Sequence, residues 1–151
     1  MLQWTLKKFD ELTPHELYAI LQLRSEVFVV EQNCVYQDMD DKDLKAWHLM
    51  GYDREQYGEK LLAHTRLLPA GVSYPETSIG RVVSSPAVRG LGIGRLLMQQ
   101  SIDSIYKLYG KGPIRIGAQL YLKSFYASLG FIPEGEIYLE DNIQHIIMYL
   151  P

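Results

Sequence analysis

The chain of 151 residues contains a single cysteine, Cys34. No internal disulfide can form, so nothing signals an oxidising compartment, and a structural zinc site made of cysteines alone is excluded. Long apolar runs are also missing. No stretch is long enough to span a bilayer, and the N-terminal Met-Leu-Gln-Trp-Thr-Leu-Lys-Lys lacks the apolar segment of a secretory signal. A cytoplasmic protein with no membrane partner is the default expectation. Positive charge is in deficit: Lys and Arg total 15 against 18 for Asp and Glu, a formal net charge of -3. Nucleic-acid binding needs clustered positive charge against phosphates, so no nucleic-acid partner is expected. The spacings of His and acidic residues form no recognisable metal motif, and no metal is expected.

Hydrophobic residues make up 47% of the chain and charged residues 22%. This composition suits one globular domain over residues 1–151, with a core that needs no staples. Residues 2–9 alternate in polarity and predict a first strand. Thr13-Pro14-His15-Glu16 is a helix start, with a hydroxyl cap, a proline and an early carboxylate. Leu17, Leu21, Arg24, Phe28 and Glu31 follow at helical spacing; the first part of that stripe is expected in the core, with Arg24 and Glu31 as polar groups at or beside it. Residues 32–45 read as a loop or short helix rich in Asp. Ala46–Tyr52 and Leu61–Leu68 predict paired strands around a turn-like 53–59, and Ser78–Val83 predicts another strand. Residues 93–109 predict an amphipathic helix with Ile93, Leu96, Leu97, Ile102 and Ile105 inward. Ile114–Ala118 predicts a central strand, 120–129 a last helix, and Phe131–Leu139 and Ile143–Leu150 two final strands. The order is mixed, and one α/β sheet with helices on its faces is expected.

The most informative segment is Val82-Val83-Ser84-Ser85-Pro86-Ala87-Val88-Arg89-Gly90-Leu91-Gly92-Ile93-Gly94-Arg95. A strand runs into a loop with three glycines, which opens directly into a helix. Glycine lets backbone N–H groups approach a ligand, and a helix N-terminus adds free donors and partial positive charge. Together they predict an anion site for phosphate or pyrophosphate, flanked by Arg89 and Arg95. The P-loop pattern requires Lys and a hydroxyl residue after its last glycine, whereas Gly94 is followed by Arg95 and Leu96. The dinucleotide fingerprint spaces its glycines differently and follows the first strand of a βαβ unit.

Arg89-Gly90-Leu91-Gly92-Ile93-Gly94 instead resembles the acyl-coenzyme-A loop of the GNAT superfamily of N-acyltransferases. Phe125-Tyr126-Ala127-Ser128-Leu129-Gly130-Phe131 is similar to that family's C-terminal signature. Leu23–Cys34 with Tyr36–Asp40, Gly117-Ala118-Gln119 and Glu140–His145 extend the resemblance to the ElaA subgroup and to essentially the whole chain. The resemblance implies a mostly antiparallel twisted sheet of about six to seven strands flanked by about four helices. It implies acetyl-coenzyme A as acyl donor, with its pyrophosphate on the backbone of Arg89, Gly90, Leu91, Gly92, Ile93, Gly94 and Arg95. By the same resemblance, the strand Val82, Val83 and Ser84 holds the pantetheine arm and polarises the acyl carbonyl, and Tyr126 protonates the departing thiolate. The family often has Asn where this chain has Gln119, which still offers an amide to the donor.

The implied reaction is direct attack of a neutral amine, in a small molecule, peptide or protein, on the thioester. An ammonium has no lone pair, so a base is useful. The candidates are Glu31, Glu140, Asp141, His145, His48 and His64. Of these, Glu31 and His145 join Tyr126 as expected catalytic residues. His48 and His64 also fit structural roles inside strands. Arg24 is read as binding a substrate carboxylate or pairing with an acid, and the Asp38–Asp43 run as steering a cationic amine or as a solvated loop. Many family members dimerise, and the apolar strand Ile143–Leu150 is the candidate surface. Two alternatives keep the same fold: a non-catalytic acyl-coenzyme-A-binding module, and an acyl-homoserine-lactone-synthase-like protein using an acyl carrier protein.

Overall fold

A computed structural model describes residues 1–151. Seven strands form one sheet: β1 Gln3–Lys8, β2 Trp47–Tyr52, β3 Ala63–Leu68, β4 Thr77–Ser84, β5 Ile114–Gln119, β6 Ile132–Glu140 and β7 Ile143–Leu150. Their spatial order is β1-β2-β3-β4-β5-β7-β6. Every neighbouring pair is antiparallel except β4 and β5. Four α-helices accompany the sheet: α1 Pro14–Arg24, α2 Arg54–Tyr57, α3 Ile93–Tyr109 and α4 Lys123–Ala127. The mixed, mostly antiparallel sheet therefore matches the expected architecture.

Helix α1 starts as its sequence dictates. Thr13 accepts the N–H of Glu16 at 3.1 Å, and Glu16 accepts the N–H of Thr13 at 2.8 Å, so two otherwise unpaired donors are satisfied reciprocally. The helix continues as a π-helix over Ser25–Glu31, with Gln32 N–H bonded to Val27 O and Cys34 N–H to Val29 O. The buried face is Ile20, Leu23, Arg24 and Val27; Arg24 lies on the expected stripe, whereas Leu17 and Leu21, expected in the core, are only half-buried. Widening the helix at residue 25 rotates the following residues relative to a 3.6-residue repeat, so Phe28 and Glu31 turn toward a cleft. In α3, Leu97, Met98, Ser101, Ser104 and Ile105 face inward, while Leu96 is 49% exposed despite the expectation. The small Ser101 hydroxyl meets Thr65 Oγ1 at 2.8 Å, close to β3. The 120–129 segment is shorter in α-helix than expected, with a 3-10 turn at Leu120–Leu122 preceding α4. Residues Arg54–Tyr57, expected as part of a turn, form the one-turn α2.

Adjacent residues of β2 point to opposite faces of the sheet. Leu49 packs with Leu97 of α3, and Met50 packs with Ile20, Leu23 and Val27. Helices α1 and α3 thus cover opposite faces. β7 is an interior strand between β5 and β6, so the expected dimer surface at Ile143–Leu150 is not a free sheet edge. No helix is long and apolar enough to cross a membrane.

Beneath α1 lies a network of three arginines and three aspartates. Arg24, fully buried, donates to Asp38 at 2.8 Å and to Asp43 at 2.7 and 3.1 Å. Arg66 donates to Asp40 at 2.6 and 2.7 Å and to Asp43 at 3.2 Å. Arg81 donates to the Asp38 carbonyl at 2.7 Å, and its Nε lies 2.8 Å from Asp38 Oδ1, with the N–H not aimed along that line. The acidic run is therefore neither a solvated loop nor free to steer a ligand: arginines neutralise Asp38, Asp40 and Asp43. Arg24 takes the pairing role. Beside this network, His48 Nδ1 and His64 Nε2 are 3.0 Å apart, and His48 Nε2 donates to Asp43 O at 3.0 Å.

These charges make stability depend on pH in a defined direction. Burial pushes the Asp43 carboxyl up, but the hydrogen bond and charge of Arg24, joined by Arg66, outweigh it and hold it below the ordinary value. For Asp40, burial is likewise outweighed by Arg66 and then Arg81, and the net direction is down. Burial lowers His48, and burial with the neighbouring His48 lowers His64 well below the ordinary imidazole value. In each case the unfolded chain binds a proton that the folded chain refuses, so acidification favours unfolding. Urea midpoints are expected to fall below about pH 6.5 as the histidines contribute, and again below about pH 4 as the aspartates do. A midpoint that stays flat from pH 7 to pH 3 would contradict this. Arg24→Leu, which removes the buried partner of Asp38 and Asp43 and leaves them only Arg81 and Arg66, is expected to cost about 3–5 kcal/mol in urea unfolding.

Candidate active site

Strands β4 and β5 pair only at Thr77 with Ile114 and Ser78 with Arg115. Beyond Ser78 they part, and a cavity of about 620 Å³ opens between them. A bulge in β4 accompanies the split. His64 pairs with Val83 and Arg66 with Gly80, so Thr65 alone opposes both Arg81 and Val82. An extra residue of this kind bends its strand and increases its twist. Arg81 takes φ 49, a left-handed conformation costly for a residue with a Cβ. The Arg81 pairs with Asp38 and Asp40 hold it there. The split leaves the Ile79–Ser84 side of β4 without a strand partner and lining the cavity.

The strand leads to the glycine loop. Gly90 and Gly92 both take positive φ, 80 and 75, which glycine adopts without strain. Gly92 is the N-cap of α3 and supplies no side-chain cap, and the first turn carries no acid. The N–H groups of Ile93, Gly94 and Arg95 precede the first helical bond, from Leu96 N–H to Gly92 O at 3.3 Å. A Cβ built on Gly90 or Gly92 would meet nothing within 4 Å. Open space, uncapped donors and the positive helix end fit an anionic group such as the pyrophosphate of coenzyme A. Leu91 is exposed beside them. The flanking arginines are already engaged: Arg89 Nη2 is 2.6 Å from Glu31 Oε1, and Arg95 donates to Ser128 Oγ at 2.6 Å.

All three expected catalytic residues, Tyr126, Glu31 and His145, line this one cavity. Tyr126 is 5% exposed, packed edge-on against Phe125 and Phe131, and its hydroxyl has no hydrogen-bond partner in the chain. Burial raises its pKa above that of a free phenol, so the hydroxyl stays protonated at neutral pH. His145 Nδ1 lies 2.7 Å from Ile143 O. A carbonyl only accepts, so Nδ1 carries the proton and the neutral ring leaves its Nε2 lone pair free. Glu140 Oε2 is 3.6 Å from that nitrogen, and the Tyr138 ring stacks on the imidazole at 5.6 Å. Glu31 has its carboxylate committed to Arg89. His48 and His64 do not line the cavity, which removes them as base candidates.

Gln119 lines the cavity, but its amide is engaged with Gln32: Gln32 donates to Gln119 at 3.2 Å and Gln119 to Gln32 at 3.4 Å. The pair ties the end of the π-helix to the end of β5. Cys34 also lines the cavity and donates its thiol to Asp141 O at 3.2 Å, holding the β6–β7 turn against the first helix. Arg81, Tyr74 and Tyr138 carry no signal in the sequence, while Gln32 and Gly117 enter only as parts of the segments that carry the family resemblance. A Cβ on Gly117 would meet Tyr138 Oη at 2.8 Å and Tyr74 Oη at 3.1 Å, so only glycine admits both hydroxyls. No local pattern marks them, because a loop, a central strand and an edge strand bring them together.

A family model described as an acetyltransferase (GNAT) domain matches residues 26–150. Protein ElaA of Escherichia coli is 41% identical over 150 residues, covering 98% of this chain and 95% of that protein. The crystal structure of an acyl-CoA N-acyltransferase from Pseudomonas aeruginosa superposes with a TM-score of 0.92 at 43% identity, covering 100% of both chains. Escherichia coli ElaA superposes with a TM-score of 0.90 at 40% identity, again covering 100% of both.

Gly94 separates binding from folding. A Cβ there makes only an ordinary contact, 3.8 Å from Phe125 Cζ. Gly94→Asp puts a carboxylate among the uncapped N–H groups, where it suits the helix by about 0.3–1 kcal/mol but competes with an anionic ligand. Calorimetric titration with coenzyme A is expected to show at least a tenfold loss for Gly94→Asp and little change for Gly94→Ala, with thermal stability retained in both. Equal affinities for all three proteins would remove the loop from the anion site.

Proposed function

We propose, from the premise that this chain belongs to the GNAT acetyltransferase family, that it transfers an acetyl group from acetyl-coenzyme A to a primary amine. One observation carries the reading: an unpaired strand edge, an uncapped helix N-terminus and a buried unpartnered tyrosine meet in a single cavity. The bound donor supplies a thioester carbonyl for the amine to attack and a thiolate as leaving group.

The chain's own residues have distinct tasks. The N–H groups at Ile93–Arg95 bind the anionic part of the donor, and the free edge over Val82, Val83 and Ser84 orients the remainder and polarises its carbonyl. His145 takes a proton from the incoming ammonium at Nε2, and Glu140 beside it favours the imidazolium that results. Tyr126 gives its hydroxyl proton to the leaving sulfur. Burial keeps the hydroxyl protonated at neutral pH, the form in which an acid must start. Glu31 is the weaker base candidate, because Arg89 already occupies its carboxylate. It serves better to hold Arg89 at the cavity wall. Gln119 meets the donor only by exchanging its Gln32 partner.

Titration with acetyl-coenzyme A, beside ATP and NAD, tests the donor, and thiol release with an amine panel tests turnover. Selective acetyl-coenzyme A binding with turnover is expected. Binding without turnover of any amine would leave a non-catalytic acyl-coenzyme-A-binding module. Tyr126→Phe is expected to lower kcat by about 100-fold, within the usual range for a lost general acid, while acetyl-coenzyme A affinity stays within about twofold. Unchanged kcat would exclude Tyr126 as the acid.

A further inference from the structure

The cavity wall carries more charge of one sign than the other once its internal pairs are counted. Arg81 belongs to the network with Asp38 and Asp40. Arg89 and Glu31 neutralise one another. Two charges on the wall then have no arginine or lysine partner: Glu140 and Asp141, on the turn joining β6 to β7. Glu140 is within 4 Å only of His145, and Asp141 of no basic group at all. The acidic run that the sequence reading had steer a cation is spent on arginines, and this second, shorter acidic pair is not.

A pair of exposed acids is not a site by itself. Here two further groups share its cavity: His145, whose side chain is 9% exposed and whose Nε2 has no hydrogen-bond partner, and Tyr126, 5% exposed overall, whose hydroxyl has no partner in the chain. The turn is also held in place. Cys34 clamps the Asp141 carbonyl, and Asp141 and Asn142 both take the left-handed conformation of a tight hairpin, φ 51 and 65. The backbone of the turn is therefore fixed, Glu140 Oε2 lies 3.6 Å from the proton-accepting nitrogen, and both acids line the cavity near Gln119 and His145, which are paired across β5 and β7.

We propose that the acceptor is a small aliphatic diamine or polyamine, its reacting nitrogen directed to His145 and its second ammonium held by Glu140 and Asp141. This rests on the acyltransferase reading. A monoamine fills the reacting position but leaves both carboxylates unused. An amino acid brings its own carboxylate into a wall that already has net negative charge. The step balances as ordinary acyl transfer: the ammonium gives one proton to His145, the neutral nitrogen bonds to the acyl carbon, the carbon–sulfur bond breaks with Tyr126 protonating the sulfur, and the second nitrogen proton, released as the amide forms, restores the Tyr126 hydroxyl.

The test compares a linear α,ω-diamine with the monoamine of equal length. Each is titrated calorimetrically into the protein, with and without saturating coenzyme A, and each is assayed for thiol release from acetyl-coenzyme A. The diamine is expected to bind about tenfold more tightly, the scale of one charge-assisted hydrogen bond, and its advantage is expected to shrink in 0.5 M salt. Asp141→Asn and Glu140→Gln are each expected to bring the diamine-to-monoamine affinity ratio toward one. Equal affinities in the unsubstituted protein, or a ratio that survives both substitutions, would overturn the proposal. Failure of the underlying reading has a different signature, absence of acetyl-coenzyme A binding, and the amine ratio is still read in that case without the nucleotide.

Discussion

Two parallel strands share just two paired positions before they separate, and the functional part of the molecule depends on that separation. Had β4 and β5 continued side by side, their N–H and C=O groups would satisfy one another and no cleft would exist. Parting them leaves polar backbone exposed along β4, which is tolerable only where water or a ligand can pair with it. The bulge at Arg81 makes the departure, and its left-handed backbone needs support from outside the strand. That support comes from Asp38 and Asp40, which Arg24 and Arg66 hold in turn. The helix under which this network sits is the one whose widened end forms a wall of the cleft. Helix, acidic loop, bulge and cleft are thus one mechanical unit, balanced by three positive and three negative charges.

The same balance decides how the cleft reads electrically. Charges that look available in the sequence are mostly spoken for in space. Arg89 meets Glu31, Arg95 meets Ser128 and the aspartates of residues 38–43 meet arginines. What remains is separated by task. Uncapped N–H groups at the start of α3 attract negative charge, while Glu140 and Asp141 on the opposite strand pair attract positive charge. An anionic acyl donor and a cationic acceptor can then occupy one cavity without competing for the same end of it.

Much of the fold was legible because local signals agreed with it. The Thr13–Glu16 cap, the glycine that ends α3 and the hairpin around Asp141 each mark an element boundary with a physical cause. The loop from Arg89 to Gly94 was legible for the same reason, since glycine with positive φ before a helix is a local requirement. Errors arose where a local rule met a long-range constraint. In the first helix Ile20 and Leu23 take the buried positions beside Arg24 while Leu17 and Leu21 lie half-buried, and only beyond Ser25 does a π-helical segment break the 3.6-residue repeat on which the placing of Phe28 and Glu31 relied. Leu96 was assigned to the core by its periodicity, yet Leu97 and Met98 take the inward positions and leave Leu96 on the outer side of α3. His48 and His64, base candidates that also read as structural groups inside strands, take the structural role: they pair with each other and do not line the cleft.

The sequence by itself determined most of the elements, the family and the glycine loop that opens α3, because each depends on residues adjacent along the chain. Only the tertiary structure decided which charges are free. Pairing between Arg24 and Asp43, Arg89 and Glu31, or Cys34 and Asp141 joins residues 19, 58 and 107 positions apart. Electrostatic availability is a property of distance in space, and no spacing along the chain encodes it.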